Sequence, residues 1–293
     1  MLFTTSTTEQ IMDELDSKYS LQGYPKSNYL VTGLHLLIAG HVDLAVISFQ
    51  RGAEEVGCVG CMFLYVYYQL QRKQVHLALP WAMEGAIRGH LRCIVLLLQC
   101  YDQSTSESVF ALSNLWTKTM NKLASSINKN ASFGEERRKE IYSIGEERRK
   151  EHKKQTANIC VTCGEEDDTN NMTYAKCGVC KCYSYCCKDH QRKHWKEQNH
   201  MGECRQLKIL RTCCKPKHVR EIQAAIMNGD DPKEIPRLQN LRTALGLNRP
   251  KEEYEELLSR LGDDNDSTIQ DRYNYLTARK DGTVHIGSTP NVI

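Results

Sequence analysis

A chain of 293 residues, 40% of them hydrophobic, has enough apolar mass for two small domains or one large one. Its formal net charge of +3 is too small to argue for a nucleic-acid partner by itself. No apolar run approaches the roughly 18 residues of a membrane-spanning helix. The opening MLFTTSTTEQ has neither the basic start nor the apolar centre of a signal peptide, so the expectation is a soluble intracellular protein, cytoplasmic or nuclear.

The fold class read from the chain is mainly α: a helical-hairpin domain, a small zinc-stabilised α/β finger and a helical extension. Residues 1–25 form an N-terminal tail, weakly helical from Glu9 to Lys18 and ended by Pro25. Residues 26–126 are helical by periodicity. Tyr29, Leu30, Leu34, Leu37 and Ile38 recur at helical spacing, and Gly40 stops that helix. Further helices are predicted over Val42–Glu55, Cys61–Arg72, Ala78–Arg88, Leu91–Tyr101 and Val109–Ser126, with Gly57 and Gly89 as stops. Pro80 falls in the first turn of the fourth, where proline is tolerated.

An internal echo runs at an offset of 32 residues: Phe49-x3-Ala53-x3-Gly57-x3-Cys61 aligns with Trp81-x3-Gly85-x3-Gly89-x3-Cys93. An aromatic, small residues, a glycine and a new helix describe one helical hairpin, because small residues let antiparallel helices approach. The pattern resembles the Sel-one-like branch of the tetratricopeptide repeats, with Gly85 standing where that family has alanine. About two units are present; a plain helical bundle is the other reading.

Residues 127–159 carry a tandem repeat. Gly134-Glu-Glu-Arg-Arg-Lys-Glu140 recurs as Gly145-Glu-Glu-Arg-Arg-Lys-Glu151. Eleven residues make three helical turns, so both copies show the same face. Favourable Glu135–Lys139 and Glu146–Lys150 pairs fit an exposed helical linker.

Residues 160–204 concentrate soft metal ligands: Cys160-x2-Cys163, Cys177-x2-Cys180, Cys186-x3-His190 and His200-x3-Cys204. Zinc takes four Cys or His ligands in a tetrahedron, so eight ligands imply two ions. Spacing alone leaves two groupings open, sequential fingers or an interleaved brace. Four protein ligands per ion leave no open coordination position, which points to structural rather than catalytic zinc. Cys182 and Cys187 are surplus.

The segment resembles the MYND-type zinc finger. The resemblance rests on the two Cys-x2-Cys pairs, Tyr185-Cys186, Gln191, Trp195 and His200-x3-Cys204, with His190 where that family usually has Cys. It covers about one sixth of the chain. It implies the interleaved brace, with Cys160, Cys163, Cys186 and His190 on one zinc and Cys177, Cys180, His200 and Cys204 on the other. It also implies protein partners, often Pro-containing peptides, docked on Gln191 and Trp195.

Residues 181–220 hold eleven Lys or Arg against Asp189, Glu197 and Glu203. Two thiolate-rich zinc sites of formal charge −1 each would be offset by that band. A surface for nucleic acid is the alternative reading. Cys58, Cys61, Cys93 and Cys100 sit in apolar helical patterns and read as buried small hydrophobes. Residues 205–262 are a helical extension (Val219–Met227, Ile235–Leu245, Lys251–Leu261). Residues 263–293 are a tail with a hairpin turn at Asp281-Gly282.

No catalytic constellation emerges. His35, His41, His76 and His90 lie near helix ends, as capping residues do. A SET-type methyltransferase remnant is disfavoured, since the Gly-x-Gly turn and the Asn-His-Ser-Cys stretch of that family are missing. The expectation is therefore a non-enzymatic adaptor with two zincs, without a small-molecule substrate or a membrane. The helical part is expected to keep its structure when the metal is removed.

Overall fold

The computed structural model describes residues 21–103, 109–125, 139, 143–148, 150, 159–166, 174–248 and 278–284. They are mainly helical, with one two-stranded sheet. Six helices come first: α1 (Asn28–Ile38), α2 (Val42–Val56), α3 (Val59–Gln71), α4 (Val75–Ile87), α5 (Leu91–Gln103) and α6 (Phe110–Ala124). Each packs on the one before it, and α3 also meets α5. Connections of two or three residues between α1 and α5 force successive helices to return antiparallel.

Local chemistry sets these boundaries. Ser27 caps α1, its Oγ accepting the Leu30 N–H at 3.2 Å. Gly57 (φ 64°) and Gly89 (φ 83°) supply the left-handed turns before α3 and α5. The turn before α4 differs: Lys73 takes the left-handed position at φ 58°. With no glycine to mark it, the sequence reading starts α4 too late. The helix begins at Val75, so Pro80 lies inside it rather than in its first turn. There Pro80 offers no N–H to the His76 carbonyl.

The internal echo is visible as packing. Phe49, Ala53 and Cys61 are buried, and so are Trp81 and Cys93. A Cβ on Gly85 would lie 2.3 Å from the Cys93 sulfur, so this hairpin demands glycine where the first has Ala53.

The charged linker is described in part. Residues 143–148 are helical and lie against α5 and α6. Arg148 pairs with Asp102, and a Cβ on Gly145 would lie 2.2 Å from Asn121 Oδ1. The start of the second repeat copy is therefore docked on the helical layer, where the sequence reading expected an exposed helix. Apart from Lys139, the first copy lies outside the described residues, as do the predicted helices Glu9–Lys18 and Lys251–Leu261.

The second half comprises β1 (Ala175–Lys176), β2 (Ser184–Tyr185), α7 (Lys188–Lys196), α8 (His200–Cys213), α9 (Pro216–Met227), a 3-10 turn (Pro232–Glu234) and α10 (Pro236–Leu245). Pro216 opens α9 at its first turn, where the missing N–H costs nothing. Helices α8 and α9 pack on α6, and α10 packs on both. The Asp281-Gly282 turn is formed, with the Arg279 N–H on the Thr283 carbonyl at 2.7 Å. It is strapped to α8 by Arg205 Nη1 on the Lys280 carbonyl at 2.7 Å. Of the predicted flanking strands only Ala278, Thr283 and Val284 are described, and none of the three is in a strand; the rest lies outside the described residues.

One buried cluster of side chains runs from Leu21 through all six first helices, the finger and α10 to Val284. A buried ionic knot crosses it. Glu84 Oε1 accepts Arg88 Nη2 at 2.8 Å and Arg242 Nη1 at 2.7 Å, with all three side chains at most 2% exposed. Arg88 Nη1 also donates to the Gly57 carbonyl at 2.8 Å. The knot ties α4 to both the α2–α3 turn and α10.

Candidate metal centre

The finger is built on two knuckles and one short ribbon. After each Cys-x2-Cys pair the chain turns sharply, with Gly164 (φ 74°) and Lys181 (φ 61°) in left-handed conformation. The Gly164 N–H returns to the Cys160 carbonyl at 2.8 Å and the Lys181 N–H to the Cys177 carbonyl at 3.1 Å. Strands β1 and β2 run antiparallel with Ala175 opposite Tyr185, and Cys160 bridges to Ser184. The ribbon therefore delivers the first knuckle beside Cys186 and the second beside α8.

The eight predicted ligands fall into two groups of four, with the ligand atoms of each group within 4.8 Å of one another. Cys160, Cys163, Cys186 and His190 form site one; Cys177, Cys180, His200 and Cys204 form site two. The first pair joins the third and the second joins the fourth, which is the interleaved grouping.

A tetrahedron with zinc–ligand bonds of about 2.3 Å to sulfur and 2.0 Å to nitrogen has S···S edges of about 3.8 Å and S···N edges of about 3.5 Å. In site one, Cys163 Sγ and Cys186 Sγ are 3.8 Å apart, and His190 Nδ1 is 3.6 Å from Cys160 Sγ. In site two, Cys177 Sγ and Cys204 Sγ are 3.8 Å apart, and His200 Nε2 is 3.7 Å from Cys180 Sγ. The two clusters fit two zinc ions. Each supplies three sulfurs and one imidazole, His190 through Nδ1 and His200 through Nε2.

The thiol chemistry agrees with that fit. Hydrogen bonds from Cys180 and Cys204 draw Cys177 far below the ordinary thiol range, while the Cys177 contact drives Cys180 far above it. Three crowded thiols cannot all ionise without a cation among them, and a divalent ion removes that conflict. In site one, burial opposes ionisation of Cys160, but N–H groups of Cys186, Cys163 and Thr162 hold it at about 6. The two sites differ in access. All four members of site two are buried, whereas Cys163 of site one is exposed.

Site two has a built support. His200 Nδ1 is 2.8 Å from Glu203 Oε2, which fixes the tautomer that turns Nε2 to the metal. Glu203 is itself buried, and its Oε1 accepts the N–H groups of Ala111 at 2.7 Å and Leu112 at 3.3 Å. These are first-turn N–H groups of α6, so the carboxylate also caps a helix of the first half. The Tyr183 hydroxyl adds a contact to Oε1 at 3.1 Å and accepts the Phe110 N–H at 3.0 Å. His194 stacks on His200 with ring centroids 4.4 Å apart, and its Nδ1 meets the Tyr185 hydroxyl at 2.8 Å. Burial, and then His200, hold His194 at about 3, so it is a neutral packing residue.

The surplus cysteines lie outside both groups. Cys182 Sγ sits 3.3 Å from the Cys180 carbonyl. Cys187 caps α7, accepting the His190 N–H at 3.5 Å. Within the basic band, Arg211 clamps the second knuckle, donating to the Val179 and Cys180 carbonyls at 3.1 and 3.3 Å. Lys188, Arg192, Lys193, Lys196, Arg205 and Lys208 are exposed.

Gln191 and Trp195 lie on α7, one turn apart, and both are half-buried. Trp195 also packs against the core and sets its edge on His200, with ring centroids 5.6 Å apart. His90, read as a capping residue, does cap α5: its Nδ1 accepts the Cys93 N–H at 3.3 Å. The supporting residues of site two were missed from sequence. Glu203 carried a local signal, three residues after His200 on the same helix; Tyr183, reaching Phe110, carried none.

No helix among the described residues is long and apolar enough to cross a membrane. No protein-family model, curated protein or solved structure matches the chain.

Proposed function

We propose that the chain is an adaptor in which two structural zincs fold a MYND-type finger onto a scaffold of Sel-one-like helical hairpins. The observation that carries this reading is the interleaved grouping of the eight ligands. Each zinc joins segments that are separate in sequence, and every coordination position is taken by the protein. Such a metal organises a surface rather than a reaction.

The surface is on α7. His190 anchors its first turn to site one, and Gln191 and Trp195 follow on the same helix. Trp195 offers a flat apolar contact with one indole donor, and Gln191 both donates and accepts. An extended Pro-containing peptide fits that chemistry, because it is already close to its bound shape and loses little entropy on docking. The exposed lysines and arginines of α7 would favour acidic residues beside the proline.

The test is binding of zinc-loaded protein to an array of Pro-containing peptides, with Gln191→Ala and Trp195→Ala alongside. The proposal expects peptides retained by the wild type and lost by both variants, each still carrying two zincs. Retention by both variants contradicts the assignment to α7. Zinc loss in Trp195→Ala assigns that side chain to the core and leaves Gln191→Ala to decide.

A further inference from the structure

Cys58 and Cys61 open α3, on the far side of the helical layer's sequence from the finger. Cys58 is the residue before the first turn, with extended backbone (φ −67°, ψ 117°), and Cys61 lies in that turn. They belong to neither metal-ligating group among the described residues. Cys61 is fully buried, with its Sγ 3.5 Å from Ser27 Oγ, and the Cys58 Sγ lies 3.9 Å from the Pro25 carbonyl oxygen. Cys58 is 6% exposed and lines a groove of about 430 Å³ between the α2–α3 turn and the end of α9. Tyr29, Val56, Ile226 and Pro232 form its apolar walls, and Lys26 and Asp230 are its charged members.

The internal echo supplies a comparison within the same chain. At the offset of 32, Cys58 corresponds to His90 and Cys61 to Cys93. In the second hairpin the histidine caps the helix and sits 3.1 Å from the Cys93 sulfur. The fold therefore accepts a non-thiol at the first position. The first hairpin places a second sulfur there instead, beside a groove.

The other helical-layer thiols behave as ordinary core groups. Burial pushes Cys93 and Cys100 well above the usual thiol range. Cys58 goes the other way, to about 6. The Cys61 hydrogen bond stabilises its thiolate, burial opposes this, and Ser27 adds a second hydrogen bond. A thiolate at a helix start beside a buried second thiol has the arrangement that thiol–disulfide exchange needs.

We propose that Cys58 and Cys61 form a thiol–disulfide exchange site that takes a low-molecular-weight disulfide through this groove. The Cys58 thiolate attacks one sulfur of the small disulfide; its S–S bond breaks and one thiolate leaves, taking a proton from solvent. The mixed disulfide at Cys58 is then attacked by Cys61, which gives up its proton as the second small thiol departs. The protein gives up two electrons and the Cys61 proton; the small disulfide takes up those electrons, that proton and one from solvent, and leaves as two thiols. Residues three apart across a helix start lie within the Cα separation that a disulfide spans.

Zinc-loaded full-length protein is incubated in buffers of glutathione and glutathione disulfide, with zinc content followed in parallel. The tryptic peptide Gly52–Arg72 contains both cysteines and no other. It should lose two hydrogens in oxidising buffer and regain them on reduction, with zinc retained. Cys61→Ser should trap glutathione on Cys58, whereas Cys58→Ser should leave Cys61 unmodified. Should either variant misfold, alkylation of the wild type decides. Cys58 labelling should be half-maximal near pH 6, with Cys93 unlabelled, whereas an ordinary thiol shows half-maximal labelling near about 8.5. A peptide that stays reduced in the most oxidising buffer that spares the zinc, or a labelling midpoint of an ordinary thiol, overturns the proposal.

Discussion

Glu203 and Ala111 lie 92 positions apart and share a hydrogen bond of 2.7 Å, Ala111 N–H to Glu203 Oε1. The same carboxylate holds His200 through its other oxygen. Metal site two and the start of α6 therefore rest on one buried side chain, and the finger and the helical layer share it.

Replacing that side chain tests the link. In Glu203→Gln, one oxygen can still accept the α6 N–H groups, but the amide nitrogen cannot accept from His200 Nδ1. Zinc affinity at site two should fall by roughly 10–100-fold, with site one unchanged. In Glu203→Ala, two α6 N–H groups and the Tyr183 hydroxyl lose their acceptor, and stability should fall by about 1–3 kcal/mol for each donor left unmet in the interior. Chelator competition and chemical denaturation measure the two effects separately. Equal zinc affinity in Glu203→Gln would remove the carboxylate from metal support.

Metal removal should be stepwise. Cys163 of site one is exposed, while site two is wholly buried. A chelator should take the site-one zinc first, with little change in helicity. Loss of the second zinc should lower the thermal transition of the helical layer as well, because Tyr183 and Glu203 tie it to α6. This revises the expectation, formed from the sequence, that the helical part is indifferent to metal. Calorimetry with stepwise chelation checks it; an unmoved helical transition after both zincs are gone would restore the earlier expectation.

The Glu84 knot gives a prediction away from the metal. Glu84→Ala leaves Arg88 and Arg242 buried without their carboxylate, and should cost roughly 3–5 kcal/mol. A double variant, Glu84→Leu with Arg242→Met, removes two of the three charges and should recover part of that loss. Urea denaturation of the single and double variants reads the difference. A double variant less stable than Glu84→Ala would show that Arg242 contributes something other than charge pairing.

How much of this was legible in the sequence depended on range. The ligand pairs were readable because Cys-x2-Cys and His-x3-Cys are local spacings. Helix ends at Gly57 and Gly89 were readable because glycine marks a left-handed turn. The turn at Lys73 was not, since lysine in that conformation leaves no mark. Spacing alone did not show which ligand pairs share an ion; the family resemblance implied the grouping, and the β1–β2 register and the Cys160–Ser184 bridge, both tertiary, set it. Glu84 and Arg88 could have been noticed as charges four apart in an apolar helix, but Arg242, 158 positions further on, could not.

The most direct test concerns that grouping. Native mass spectrometry of the intact chain should count two zincs. Cys163→Ser and Cys186→Ser should each retain one, and Cys182→Ser should retain two. The decisive species is the double variant, Cys163→Ser with Cys186→Ser. Both residues belong to site one in the interleaved arrangement, so the double variant should still hold one zinc. Sequential fingers would place the two cysteines on different ions. A double variant that holds none, while each single variant holds one, would contradict the interleaved arrangement.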